Sequence, residues 1–169
     1  MKISGRAIKY GDNLNTDVII PSKYLTSLDP NEWARHAMEG IDPDFPKKAR
    51  EGVIIVAGRN FGCGSSREQA PQALKHAGVR CIIAESFARI FYRNSINIGL
   101  PVLEAPGVTS KVNDGDMLSV HLDEGKIINE SSNEIIFASR LPGFILEIIK
   151  DGGLIEHLIR ILGGRGSEV

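Results

Sequence analysis

Two short β-branched runs, Val53 to Ala57 (VIIVA) and Val79 to Ala84 (VRCIIA), constrain this chain more than any other feature. Each is apolar almost throughout and bounded by glycine or polar residues, the pattern of a strand buried on both faces. Between them lie a turn carrying Gly58, Gly62 and Gly64, then a helical stretch around Ala70 to His76 that ends at Gly78. Strand, turn, helix, strand is a βαβ unit, which implies parallel pairing and a right-handed crossover. With 169 residues, 42% of them hydrophobic, the chain is long enough to close one well-packed α/β domain around that unit.

The turn presents Ser65, Ser66 and Arg67 ahead of the helix. Glycines let the backbone approach a ligand closely, and helix-start amides beside a guanidinium attract anions. Two hydroxyls next to an arginine, on a turn after a strand, suit a carboxylate. The same residues have a plainer reading, because Ser65 followed by Glu68 at i+3 matches a capping box. Pro71 argues against a helix that starts at Ser65, since it would then sit in the helix interior. A start near Gln69 or Ala70 makes Pro71 a first-turn residue and leaves the serines ahead of the helix. The local pattern leaves both readings open.

The rest of the chain frames this unit. Lys2 to Tyr10 reads as an opening strand closed by Gly11-Asp12-Asn13, and Asn15-Thr16-Asp17 is a polar turn before Val18-Ile19-Ile20-Pro21. Asp29-Pro30 is a helix start, with a helix expected through Trp33 and Met38 to Gly40. Ile41 to Gly52, rich in Pro and charge, is expected to be an exposed connection. Glu85 to Ile98 reads as a helix carrying Arg89 and Arg93 one turn apart, a cationic face toward a ligand or partner, or simply a solvated one. Leu100 to Glu104 is a short strand. Met117 to Leu122, Ile127 to Asn129 and Glu134 to Ala138 form an antiparallel meander, followed by helical stretches at 142–149 and 154–162. The domain is expected to span 1–162, with 163–169 a flexible tail.

Composition removes several classes of function. A net charge of −1 gives no basic footprint for nucleic acid, and the one basic cluster, Lys47, Lys48 and Arg50, reads as a solvated loop. No apolar run approaches membrane-spanning length and the opening residues lack a signal-peptide core, so a cytoplasmic protein is expected. Cys63 and Cys81 are the only cysteines. Two thiols cannot supply a four-ligand zinc site or all the ligands of an iron–sulfur cluster. Cys81 reads as a core residue, and Cys63 sits in the serine turn. His36, His76, His121 and His157 show no metal-ligand spacing, so no metal or cofactor is expected on this chain.

Three blocks coincide in order: Asn15-Thr16-Asp17 before Ile-Ile-Pro, Gly58-Arg59-Asn60-Phe61-Gly62 running into Gly64-Ser65-Ser66-Arg67-Glu68, and Ser86-Phe87-Ala88-Arg89-Ile90 after a strand. Together they resemble the small subunits of 3-isopropylmalate dehydratase in the aconitase superfamily, over nearly the whole chain. The resemblance implies a single swivelling β/β/α domain of aconitase type, a mixed sheet with a βαβ unit and a small antiparallel meander. It also implies a split hydro-lyase of leucine biosynthesis. A separate large subunit would carry a [4Fe–4S] cluster, with the small subunit closing over it to convert 2-isopropylmalate through isopropylmaleate to 3-isopropylmalate. By the same resemblance Ser65 is the base, Arg67 and the turn amides stabilise its alkoxide, Ser66 binds a substrate carboxylate, and Asp17 is the active-site aspartate, partnering a large-subunit histidine.

The loop after Pro21 is expected to set specificity through Tyr24, Leu25 and Thr26. Related homoaconitases carry an arginine there for a distal carboxylate, whereas this chain reads Tyr24-Leu25-Thr26-Ser27. A buried carboxylate without a cation costs several kcal/mol, while an isopropyl group needs only an apolar wall, which Leu25 can supply. Lys23 keeps a homoaconitase or another malate-derivative hydro-lyase open. A non-catalytic module that binds an anion in the Ser-Ser-Arg turn is the reading from a different class. The substrate is then a small di- or tricarboxylate, and self-association of the isolated chain is left open.

Overall fold

The computed structural model describes residues 1–163. One seven-stranded sheet runs in the order β4-β3-β2-β1-β5-β6-β7. Its strands are β1 (Lys2–Lys9), β2 (Val53–Ala57), β3 (Val79–Ala84), β4 (Val102–Glu104), β5 (Met117–His121), β6 (Lys126–Asn129) and β7 (Glu134–Phe137). The first four are parallel to one another, and β5, β6 and β7 form the antiparallel meander paired onto β1. Both halves of the expected mixed sheet are therefore present, joined at β1. Ser139 N–H, just past β7, donates to the Glu104 carbonyl on β4 at 2.8 Å, so the sheet curls until its two ends meet.

The helices are α1 (Thr16–Ile19), α2 (Pro30–Arg35), α3 (Phe45–Ala49), α4 (Gln69–Ala77), α5 (Arg89–Asn97), α6 (Val108–Lys111), α7 (Gly143–Lys150) and α8 (Leu154–Gly163). Each parallel crossover advances one strand in the same direction, and a constant right hand then puts the crossover helices on one face. Accordingly α4 packs between α2 and α5. Every side chain of β2 is buried, as its unbroken apolar run requires; burial of such a side chain stabilises by about 1.5–3 kcal/mol. In β3 only Arg80 reaches solvent, where it donates to the Ser4 carbonyl. Cys81 is a core residue, and burial pushes its thiol up to about 12.

Asp29 caps α2 as expected, its carboxylate accepting from Asn31 N–H at 2.9 Å with Pro30 in the first turn. The helix ends at Arg35, however, not at Gly40. Met38 takes a left-handed φ of 62° and gives its N–H to the Ile19 carbonyl, so tertiary pairing replaces further helical turns. The connection from Ile41 to Gly52 is likewise not a plain exposed loop. It contains α3, whose Phe45 and Ala49 have no solvent exposure. Gly78, left-handed at φ 116° after α4, makes room for that helix: a Cβ there would lie 2.1 Å from the Ala49 carbonyl oxygen. The helix expected over Glu85 to Ile98 begins only at Arg89, because residues 86–88 remain extended and pair with the turn after β2. Of the tail expected at 163–169, Gly163 closes α8, and 164–169 lie outside the described residues.

Phe45→Ala tests whether this connection carries core. Truncating a fully buried Phe is expected to cost about 3–5 kcal/mol, read as a lower denaturant midpoint with an unchanged slope. An exposed-loop Phe would change stability by less than about 0.5 kcal/mol.

Candidate active site

The site forms at the carboxyl ends of the parallel strands, the usual place for ligands in such sheets. Three loops leave β1, β2 and β3 there and stay paired beyond the strand ends. Gly62 N–H donates to the Leu14 carbonyl at 2.8 Å and Thr16 N–H to the Cys63 carbonyl at 2.9 Å. On the other side Phe61 N–H donates to Ser86 O at 3.0 Å and Ala88 N–H to Phe61 O at 2.9 Å. Backbone pairing thus fixes all three motif blocks against one another. Gly62 is required sterically as well as conformationally: its φ is 78°, and a Cβ would lie 2.1 Å from the ring of Phe91. That ring packs edge-on against Phe61, with centroids 5.2 Å apart.

Between these loops opens a cleft of about 440 Å³. Thr16, Gly64, Ser65 and Arg67 form one wall, and the first turns of α5, including Arg89, Arg93 and Asn94, form the other. Thr16 is buried and donates its hydroxyl to the Ser65 carbonyl at 3.0 Å, which pins the backbone of the serine turn. Arg67 is only 13% exposed along its side chain and places Nη1 2.6 Å from Asp17 Oδ1 and 3.1 Å from the Ile20 carbonyl. Because the Asp17 side chain is 60% exposed, water screens this pair and its contribution to stability is small. Its effect is orientation, since two acceptors hold the guanidinium beside the serine turn.

The capping question is answered by the helix boundary. α4 starts at Gln69 behind Glu68, which makes no side-chain cap, and Pro71 sits in the first turn. Ser65 and Ser66 stand exposed before it, and among the described hydrogen bonds neither hydroxyl takes part. Ser65, Arg67 and Asp17 therefore meet at one place, with Ser66 adjacent. Tyr24, Leu25 and Thr26 do not line this cleft. The Tyr24 hydroxyl donates to the Glu39 carboxylate at 2.8 Å while its ring stacks on His36 at 3.7 Å. Leu25 packs against the core, and Thr26 is exposed. Thr16 and Asn94 are site residues to which sequence reasoning gave no role. Thr16 lay inside a quoted motif, but only its contact across the chain to Ser65 reveals what it does.

A cluster is not a group these residues fit. Cys81 is enclosed in the core, and among the described residues no three His, Cys, Asp or Glu side chains converge as metal ligands would. No described helix is long and apolar enough to cross a membrane.

Fold and site together define an aconitase-type domain, and the sequence model of the aconitase C-terminal domain family matches residues 23–107. The 3-isopropylmalate dehydratase small subunit of Halothermothrix orenii is 60% identical over 94% of this chain and 96% of its own length. The isopropylmalate/citramalate isomerase small subunit of Methanocaldococcus jannaschii is 54% identical over 92% of this chain and 93% of its own. A crystal structure of 3-isopropylmalate dehydratase from the same archaeon superposes with a TM-score of 0.91 at 48% identity, covering 98% of this chain and all of that one. The chain belongs to the family of 3-isopropylmalate dehydratase small subunits.

Substitutions in the serine turn and in the Tyr24 loop test these placements. Ser65→Ala should leave the melting temperature of the isolated chain unchanged within the equivalent of about 0.5 kcal/mol, whereas loss of a true cap would cost about 1 kcal/mol. The second concerns the Tyr24 loop. Hydrogen bonds from the Tyr24 hydroxyl, Lys23 and His36 hold the Glu39 carboxyl down at about 2, against an ordinary 4.5. A carboxyl depressed in the folded state gives its full stabilisation above the unfolded value and loses it as pH falls through the folded one. The loop should therefore loosen between about pH 4.5 and pH 2. Trp33, the only tryptophan, reports it, because its indole N–H donates to the Tyr24 carbonyl at 3.2 Å. Glu39→Gln should abolish that fluorescence transition.

Proposed function

We propose that this chain is the small subunit of a 3-isopropylmalate dehydratase, a hydro-lyase that isomerises 2-isopropylmalate to 3-isopropylmalate with a separate large subunit, in leucine biosynthesis. The observation that carries the reading is the serine turn. Ser65 is pinned through its carbonyl, while its hydroxyl makes no hydrogen bond among the described residues and stands at the edge of a cleft sized for a small acid, with an oriented arginine beside it.

Removing water across adjacent carbons requires a proton to leave the carbon next to a carboxylate, which puts negative charge on the carboxylate oxygens. Ser65 is the base for that proton. A free serine hydroxyl is a very poor base, so its alkoxide needs nearby positive charge and amide donors. Arg67 supplies the charge, and the turn amides supply donors. Ser66 hydrogen-bonds a substrate carboxylate. Asp17 holds Arg67 through one oxygen, and its exposed side can accept a hydrogen bond from a histidine of the large subunit. We assign the [4Fe–4S] cluster of the reaction to that subunit, because two cysteines cannot supply all the thiolate ligands of one.

The Tyr24–Ser27 loop faces the alkyl end of the substrate once the two subunits close. Lacking an arginine, it favours an alkyl group over a third carboxylate. The relative named for both isopropylmalate and citramalate supports a second, wider reading in which the alkyl group is small or branched.

Reconstitution with the large subunit tests this reading. Wild type should turn over 2-isopropylmalate, and Ser65→Ala should assemble normally but lose at least about a hundredfold in kcat. Full activity in that variant would remove Ser65 from the chemistry. Thr26→Arg should shift the kcat/KM ratio from isopropylmalate toward homoaconitate-type acids, by pairing a distal carboxylate and setting a cation against the isopropyl group. An unchanged ratio in an assembled complex would place the loop away from the substrate.

A further inference from the structure

A second recess opens where the curled sheet closes on itself. Ser139, past β7, meets Glu104 at the end of β4 through a backbone hydrogen bond, and beside that seam lies a hollow of about 340 Å³. Phe87 and Tyr92 form its apolar side, their rings meeting edge-on with centroids 5.8 Å apart. Arg89 and Arg93 line it from α5, and Arg140 lines it from the stretch between β7 and α7. Its single acidic lining residue is Glu104.

Opposite charges around one recess ordinarily pair with each other. These do not: among the described residues the arginines in ion pairs are Arg67 and Arg160. Glu104 is held at the strand end instead, where its Oε1 accepts from the Phe87 N–H at 3.3 Å, and its second oxygen has no partner among the described hydrogen bonds. Burial, and after it the negative charge of Glu104, raise the Tyr92 hydroxyl above its ordinary value. The carboxylate therefore acts on the apolar side of the recess as well as on its rim. A carboxylate drawn partly out of water gains from a cation beside it, and guanidinium forks match a carboxylate in bidentate geometry.

We propose that this recess binds a small amino acid with an apolar side chain. Its carboxylate lies on the guanidiniums of Arg89, Arg93 and Arg140, its ammonium on Glu104, and its side chain against Phe87 and Tyr92. A ligand that carries both charges gives each unpaired group a partner at once. A simple acid leaves Glu104 unpaired and is repelled by it. The same repulsion separates this recess from the catalytic cleft, which Arg89 and Arg93 also line but no carboxylate does. A di- or tricarboxylate is thus favoured in the cleft and a zwitterion in the recess, whose volume falls within the range of small-molecule sites.

The site does not depend on the proposed reaction and is tested by ligand-observed NMR titration of the full chain alone, with L-leucine as the probe. L-Leucine should bind at millimolar concentration or below. Isocaproate, which lacks the ammonium, and isoamylamine, which lacks the carboxylate, should each bind at least about tenfold more weakly, the loss of one charge-assisted contact. Glu104→Gln, which keeps an oxygen for the Phe87 amide, and Arg140→Ala should weaken L-leucine by a similar factor while remaining folded, and Arg67→Ala in the cleft should bind it as wild type does. No binding of L-leucine, isocaproate bound as tightly as L-leucine, or unchanged binding in a folded Glu104→Gln variant each overturns the proposal. So does a loss in Arg67→Ala with none in Arg140→Ala, because the ligand then occupies the cleft.

Discussion

The site depends on backbone pairing that continues past the ends of the parallel strands. Strands β1, β2 and β3 end at Lys9, Ala57 and Ala84, yet residues of each following loop remain hydrogen-bonded to their neighbours through Leu14, Thr16, Phe61, Cys63, Ser86 and Ala88. Buried or half-buried amides need partners, and here they find them in one another. The consequence is positional. Three separate stretches of sequence become a single rigid rim, and a side chain on one loop can set the geometry of another. Thr16 on the first loop holds the carbonyl of Ser65 on the second, while Asp17 and Ile20 hold Arg67. Gly62 is what lets the rim close down on Phe91.

Much of this arrangement was legible in the sequence because it rests on local pattern. The β-branched runs at Val53 and Val79, the stop at Gly78 and the Asp29-Pro30 helix start each carry their own physical signal, and each element forms where that signal puts it. What could not be read locally was settled by contacts distant in sequence. α2 stops short because Met38 N–H is taken by the Ile19 carbonyl. Phe45 and Ala49 become core despite their charged surroundings because α3 packs beneath Gly78. The serine turn was ambiguous for the same kind of reason: Ser65 and Glu68 fit a capping box, and only the helix start at Gln69 separates the two readings. The role of Thr16 was invisible, since nothing in its neighbourhood announces a partner at Ser65.

The substrate loop marks the boundary between what one chain holds and what its complex must add. Tyr24 and Leu25 are engaged with Glu39, His36 and the core rather than with the cleft. Yet Ile20, whose carbonyl orients Arg67, precedes Tyr24 by only four positions, so the loop is tethered to the same rim. At the other end of α5 the α7–α8 hairpin turns its apolar side outward. The polar cleft and this apolar hairpin thus lie toward opposite ends of α5.

Thr16→Val isolates the contact that orders the serine turn, because it removes one hydroxyl and nearly nothing else. If the rim positions the serine turn for chemistry, the reconstituted enzyme should lose about tenfold in kcat, the rate equivalent of one net hydrogen bond near 1.4 kcal/mol. KM should change little, and the isolated chain should remain folded. An unchanged kcat in a variant that folds and assembles normally would contradict the account, because the bond from Thr16 to Ser65 would then be packing without consequence for the reaction.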